Sequence, residues 1–454
     1  MHADLGGLQG RLENIVGAEY VSADPEVTAR FAVDGVKPGL TVRPGTQDEV
    51  SKVAATCSAA GATMIPWGGG TAMGLGNRPS SADAVVQLDR LDRIVEFDAA
   101  NLCVTVEAGM RLGALQETVA EKKELLPIDP PADSKVTMGG LVATNQSGPG
   151  RLLYGTVRDW LLGMRVVLPD GQRIRCGGRV IKNVSGYDMN KLFIRSLGTL
   201  GILTEVTVKL LPLPVKRTAM VSLFPELSQA TAAVGKVLES FLLPEALDVL
   251  NPEAMTLLAP SLELTAPAGS WGLAVSLAGS RETVDRQERD FAALFRDGGG
   301  VVTPFQDGRT VPAWDAIRNV FDLLPAPPAQ RVLCKIAVPI SRTGEMLAAA
   351  GALGQRLGLI ATVVAHAGSG VVWAAFPLRE TAPPEAVLAE ALEGLRAKAV
   401  ATGGSLVLQA APANLKARMD AWGKPGEGFD VMRRLKAEFD PRGLCNPGRF
   451  VGGI

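Results

Sequence analysis

In the first third of the chain, β-like runs alternate with helical ones. "GLTVRP" leads into "TQDEVSKVAATCSAAGA", whose apolar positions recur at helical spacing, with Thr46 and Glu49 placed for a capping box. "DAVVQLD" reads as a strand, and "LCVTVEAGMRLGALQETVAEKKEL" as a strand feeding a helix. "RDWLLGMRVVLPDGQRIRCGG" predicts a hairpin turning at Asp170-Gly171, and "GTLGILTEVTVKLLPLP" a strand closed by prolines. Short connections between mixed elements indicate an α/β or α+β region. Beyond Pro212 to Pro214 the pattern becomes repeated β-α-β units. "RTAMVSLF" precedes a helix over "ELSQATAAVGKVLESF", "SWGLAVSLAG" one over "RETVDRQERDFAALFRDGG", and "VLCKIAVPI" one over "TGEMLAAAGALGQRLG". Such halves predict a ferredoxin-like cap, or a pair of them, over the first domain. The tail "GFDVMRRLKAEFDPRGLCNPGRF" is a helix stopped at Asp440-Pro441, too short for a domain and expected to pack back on the first. The expected division is 1–213, 214–420 and 421–454.

One stretch invites a membrane reading. Leu357 to Leu378 is 22 residues without Asp, Glu, Lys or Arg, long enough to span a bilayer. Its middle, however, is "HAGSG", and its flanks are β-branched with near period-two alternation, which favours two buried strands joined by a tight turn.

Composition narrows the class. A chain of 454 residues exceeds one core, which suggests two or three domains. With 46 basic against 47 acidic residues and no long basic run, nothing resembles a nucleic-acid footprint. The cysteines, Cys57, Cys103, Cys176, Cys334 and Cys445, are scattered and never form C-x-x-C. That argues against a disulfide framework, a structural zinc or an iron–sulfur cluster, and fits a reducing cytoplasm. The start "MHADLGGLQGRLENIV" lacks the basic-then-apolar order of a signal peptide.

The candidate chemistry lies in separated small-residue loops. "IPWGGGTAMGLG" exposes main chain that forms either an anion nest or a surface turn needing positive φ. "LPIDPPADSKVTMGGLVATNQSG" is a second such stretch, followed by "RLLYGTVRDW" and "NVSGYDMNKLFIRSLGTLGILTEVTV". No G-x-G-x-x-G sits between a strand and a helix with a downstream acid, and no phosphate-binding G-x-x-x-x-G-K-[ST] occurs. Several such loops within about 150 residues suit an elongated ligand held by backbone, such as a dinucleotide.

"PWGGGT", "VEAGM", "IDPPADSKVTMGGLVATNQSG", "YGTVRDW", "SGYDMNKLF" and "GTLGILTEVTVKLLP" come in the order and spacing of one family. They resemble the FAD-binding domain of the p-cresol methylhydroxylase (PCMH)/vanillyl-alcohol oxidase superfamily, in its glycolate oxidase and D-lactate dehydrogenase branch. "FDPRGLCNPGRF" is similar to that branch's C-terminal signature. The resemblance implies an α+β fold: a two-subdomain PCMH-type FAD-binding domain with a ferredoxin-like cap. It implies that Pro66, Trp67, Gly68, Gly69, Gly70, Thr71, Ala72 and Met73 wrap the FAD diphosphate with main-chain N–H groups. Asp129, Pro131, Ala132, Asp133, Ser134, Thr137, Gly139 and Gly140 would line the other side of the dinucleotide. Gly148, Gly201, Ile202 and Asn446 would lie near the ribityl chain or the isoalloxazine. Relatives with covalent flavin carry a His in the glycine loop; this chain has Trp67 and three glycines, so non-covalent FAD is expected.

The departures from the family pattern bear on catalysis. Oxidising a 2-hydroxy acid needs an acceptor for the hydroxyl proton and a cation for the carboxylate. His366 opens "HAGSGVVW", where the family's metal motif reads H-A-G-D-G-N-x-H; its Asp and Asn positions are Ser369 and Val371 here, its second His is Trp373, and the family's later Glu-His-Gly pattern is missing. A metal held by one imidazole is weak, so His366 is read as structural rather than as a ligand, and no metal is expected. Lys335 could meet a substrate carboxylate, although an alternating strand position facing solvent is the plainer expectation. Arg158-Asp159 reads as a flavin-loop orienter or a structural ion pair, Tyr187 and Asp188 as packing and turn residues. Trp373 and Trp422 could reach the cap–flavin interface or be core; Cys445 defaults to a small buried hydrophobe. The lost metal ligands make the chain most similar to the FAD-binding E subunit of bacterial glycolate oxidase. That implies a related catalytic flavoprotein and an iron–sulfur subunit as partners, a small 2-hydroxy-acid substrate, and membrane contact only through those partners. A self-sufficient D-2-hydroxy-acid dehydrogenase and a cofactor-free scaffold are the alternatives.

Overall fold

The computed structural model describes residues 4–178, 187–379 and 382–454. The stretch "NVSG" of the third loop motif lies outside them. The first sheet holds β1 (Val21–Ser22), β2 (Leu40–Val42), β3 (Met64–Trp67) and β4 (Ala84–Gln87) in the order β1-β2-β4-β3. β2, β4 and β3 are parallel, so the chain needs a crossover, which helix Gln47–Ala60 supplies. Thr46 accepts from the Glu49 amide as expected, but the Glu49 carboxylate turns to the Gly45 amide at 2.7 Å instead of closing the box on Thr46.

A second sheet follows, from β5 (Ile94–Asp98), β6 (Cys103–Glu107), a short β7 (Glu124–Leu125), β8 (Leu161–Val167), β9 (Arg173–Gly177), β10 (Ile202–Lys209) and β11 (Leu211–Pro212). β7 pairs only with β11; the rest form an antiparallel sheet ordered β5-β6-β10-β8-β9. β8 and β9 are the expected hairpin. Leu168 N bonds to Gln172 O at 2.8 Å, and Gly171 takes the left-handed conformation at φ 88° that the turn requires.

The cap is one continuous sheet of eight strands: β12 (Lys216–Phe224), β13 (Ala246–Leu250), β14 (Trp271–Gly279), β15 (Val301–Phe305), β16 (Arg331–Ala337), β17 (Thr362–His366), β18 (Val371–Pro377) and β19 (Ser405–Ala410). Their order, β15-β12-β14-β13-β17-β18-β16-β19, is two ferredoxin-like quartets, each arranged fourth-first-third-second, joined edge to edge. The seam is antiparallel pairing of β13 with β17, Asp248 opposite His366. β17 and β18 are the two strands read from the charge-free stretch, and among the described residues no helix is long and apolar enough to cross a membrane.

Strand alternation sorts the cap's two faces. Met220, Val275, Ile336 and Phe376 pack under the helices Leu227–Leu238, Arg281–Asp297, Thr343–Leu357 and Glu385–Ala401. Burying each such side chain contributes roughly 1.5–3 kcal/mol. Val221, Ala274 and Val364 face the helices Pro252–Leu262 and Thr310–Arg318 on the other side. On the second quartet only the seam strand β17 meets those helices on that face, through Val364; farther along, Val407 meets Leu75 and Leu197 of the first domain. After β19 the chain returns to the first sheet, where Cys445 bridges in parallel to Met64 on β3.

Candidate active site

β3 ends at Trp67, whose ring meets Phe31 edge-on at 5.1 Å, and the glycine loop begins. Among the described residues, the amides of Gly68, Gly69, Gly70, Thr71 and Ala72 donate to no protein acceptor. The glycines and Ala72 are half-buried and Thr71 is exposed, so these donors stay open to a ligand. Its facing wall is the turn Lys135–Thr137. A Cβ on Gly69 would lie 1.8 Å from the Lys135 carbonyl, and one on Gly68 2.2 Å from Thr137 Oγ1. Only bare backbone lets the two walls close to this distance. Thr137 caps the helix Met138–Thr144, accepting from Gly140 N at 3.3 Å, while Gly139 N is spent on Ala108 O at 2.8 Å.

The preceding residues are oriented differently. Ala132 N donates to Asn319 Oδ1 at 2.8 Å and Asp133 pairs with Arg318 at 2.9 Å, docking this loop, which also holds Pro131 and Ser134, on the cap. The Asp129 carboxyl is buried and accepts from Gly150 N at 2.9 Å; burial pushes its pKa up to about 7. Asp129 and Asp133 line a cavity of about 330 Å³ shared with Tyr154, Arg217, Glu245 and Arg318, so their side chains serve the cap seam.

Gly148 packs against the Asp129 carbonyl, only 1.8 Å from where a Cβ would sit. Gly201 opens β10 beside Val167, and the Ile202 side chain is core, between the first sheet and β8. Asn446 donates its amide to Met64 O at 2.8 Å and its Nδ2 to Leu197 O at 2.6 Å. Its Oδ1 is buried without a partner, as is Asn145 Oδ1. Ala132, Asn145, Arg195, Leu197 and Asn446 all hold positive φ, between 44° and 65°, a concentration of backbone strain typical of ligand clamps. Unspent amides in a cleft and orphaned amide oxygens beside it fit a dinucleotide with an anionic bridge and a hydrogen-bonding heterocycle.

Between this groove and the cap face that carries Lys335 and Val407 lies a second cavity of about 240 Å³. Arg151 and Arg195 enter from the first domain and Lys335 from β16, with Asn145, Trp373 and Gln409 around them. Among the described residues none of the three cations forms an ion pair; Arg151 donates to Ser147 Oγ at 3.4 Å, and Lys335 Nζ stands 5.3 Å from the Trp373 ring centre. Burial, with Arg151 and Arg195 adding repulsion, brings the Lys335 pKa down to about 7. Burial lowers both guanidinium pKa values as well.

Lys335 therefore does not face solvent. Its strand position is outward relative to the cap's own core, but the other domain covers that face. Trp373 lines the cavity rather than the core, and Trp422 lies under Arg195 at 5.7 Å. His366 Nδ1 bonds to Asp248 Oδ1 at 2.8 Å in a buried pair across the β13–β17 seam, outside the cation cavity. Arg158 and Asp159 are not paired: Asp159 accepts from Thr156 N at 2.7 Å and caps its helix. Tyr187 is 95% exposed, so packing does not explain it, whereas Asp188 makes the expected turn bond to Asn190 N. Cys445 is fully buried in the core of the first sheet. Arg151 and Arg195 are the site residues that sequence reasoning passed over.

Comparison with known proteins assigns both parts of the chain to one family. The family model "FAD binding domain" matches residues 38–177, and "FAD linked oxidases, C-terminal domain" matches 213–450. Glycolate oxidase subunit GlcD of Bacillus subtilis (strain 168) is 29% identical over 418 residues, covering 91% of this chain and 89% of that protein. D-lactate dehydrogenase of Anaerostipes hadrus is 27% identical, covering 91% and 90%. Among solved structures, p-cresol methylhydroxylase with substrate bound superposes with a TM-score of 0.78 over 98% of this chain and 96% of that one, at 17% identity.

Proposed function

Since the chain belongs to the FAD-linked oxidases, we propose that it binds FAD non-covalently and oxidises a small 2-hydroxy acid of the glycolate or D-lactate class. The observation that carries this reading is the cavity in which Arg151, Arg195 and Lys335 converge without a carboxylate partner among the described residues. Arg151 and Arg195 lower the proton affinity of Lys335 beside them, and an anionic substrate relieves that repulsion. About 240 Å³ suits a short hydroxy acid and little more.

Bound FAD supplies the two-electron acceptor. The chain's own groups do the rest. Arg151 and Arg195 hold the substrate carboxylate by charge-assisted hydrogen bonds. Lys335, whose pKa near 7 leaves a neutral amine available, takes the hydroxyl proton at Nζ. Trp373 and Val407 keep bulk water from the site. Electrons then leave the flavin through a partner; an iron–sulfur subunit, with a related flavoprotein beside it, is the partner class the glycolate oxidase likeness suggests.

A second reading, an electron-relaying subunit like the E subunit whose partner oxidises the substrate, draws on one observation. His366 is engaged by Asp248, and Ser369, Val371 and Trp373 stand at the Asp, Asn and second His positions of the metal motif that the resemblance implies. Anaerobic stopped flow of the purified chain with glycolate or D-lactate separates the two. Rapid flavin bleaching at 450 nm supports direct oxidation; a flavin that stays oxidised until a partner is added supports relay. A colourless preparation that takes up no FAD sinks both.

A further inference from the structure

The glycine loop's free amides have a counterpart on its underside. Arg449, 2% exposed, sends Nη2 to the carbonyls of Met73 (2.8 Å) and Leu75 (2.5 Å). Its Nη1 goes to Asn77 O at 3.0 Å and to Asp34 Oδ2 at 3.3 Å. Lys416, whose side chain has no exposure, donates to Gly74 O at 2.5 Å and Asp34 Oδ2 at 2.8 Å. Two residues from beyond the cap sheet thus gather successive carbonyls of the loop's second half.

We propose that Arg449 and Lys416 are positioning residues that turn the glycine loop's amides toward a diphosphate and supply a net positive charge behind it. A trans peptide directs its C=O and its following N–H to opposite sides. Pulling the Met73 and Leu75 carbonyls down to Arg449 therefore turns the Gly74 and Gly76 amides up, and fixes the far anchor of the span Gly68–Ala72. The charges do not cancel: two cations share the single carboxylate of Asp34. A buried surplus charge is costly unless something meets it, and an anion across the loop does so. The surplus is felt at Lys416, whose pKa is lowered by burial and, in smaller part, by repulsion from Arg449.

The inference rests on the loop being the FAD site, and the test separates the two. FAD is stripped from the purified chain and titrated back, following flavin fluorescence, while thermal unfolding of the stripped protein is recorded alongside. Arg449→Met and Lys416→Met should each weaken FAD binding by tenfold or more, with Arg449→Lys recovering part of the loss. Asp34→Asn, which leaves the surplus charge larger, should lower the melting temperature of the stripped protein without weakening FAD binding. A support that is merely structural predicts that Asp34→Asn weakens FAD binding as much as Arg449→Met, and that result overturns the proposal. Wild-type affinity in folded Arg449→Met overturns it too. Failure of the wild-type chain to take up FAD removes the underlying reading instead.

Discussion

The two candidate anion sites solve the same electrostatic problem in opposite ways. At the glycine loop, neutral amides face the cleft while the formal charges stand behind, locked to carbonyls and to Asp34. In the cavity under the cap, the charges themselves face inward, with no carboxylate partner among the described residues. Backbone dipoles are rigid and insensitive to pH, which suits a resident cofactor. Unpaired side-chain cations respond to protonation and to ligand, which suits a substrate that must come and go.

The sharpest way to break that contrast is steric. Gly69→Val should abolish FAD retention, because its side chain would meet the Lys135 carbonyl; the 450 nm absorbance of the purified protein checks this. Replacing the inward cations should instead leave the flavin bound. Arg151→Met or Arg195→Met is expected to raise KM for D-lactate or glycolate by about 10–100-fold, the range of a lost charge-assisted bond. Equal loss of FAD in these variants would merge the two sites. Next comes pH. Lys335 is protonated below its lowered pKa, so kcat/KM should climb as pH rises through about 7 and then level off. Lys335→Met should lower kcat and remove that rising limb; an unchanged profile rules Lys335 out as the base.

The smallest effect concerns the cavity at the cap seam. The folded pKa of Asp129 is raised from 3.8 to about 7, so its contribution to stability is present below pH 3.8 and is lost as pH rises through 7. Asp129→Asn should therefore melt a few degrees above the wild-type chain at pH 8, with a smaller gap at pH 5. A gap independent of pH means the carboxyl is not the group that titrates.

The parts of this molecule that could be read beforehand are those written locally. The hairpin at Asp170-Gly171, the two strands around "HAGSG" and the paired ferredoxin-like units follow from turn chemistry and period-two patterning. Arg151 and Arg195 could not be read that way. Each lies in a short polar-apolar stretch with no distinguishing period, and Arg195 sits at φ 65°, where a non-glycine residue gives no warning. Lys335 misled for a related reason. Alternation tells which side of a strand is turned from the cap's helices, but not that a second domain lies over that side. The Arg449 and Lys416 clamp joins residues hundreds of positions apart; Arg449 lies within "FDPRGLCNPGRF", but nothing local in that stretch shows which carbonyls it holds.

That distance has a consequence for how the protein is made. Arg449 and the Met73 carbonyl it holds are 376 positions apart, with the whole cap synthesised in between. A nascent chain that has completed both sheets of the first domain still lacks the clamp. FAD loading should accordingly follow translation of the cap rather than accompany emergence of the glycine loop. Ribosome-bound chains stalled before residue 416 should refuse the vitamin-derived cofactor that the finished protein accepts.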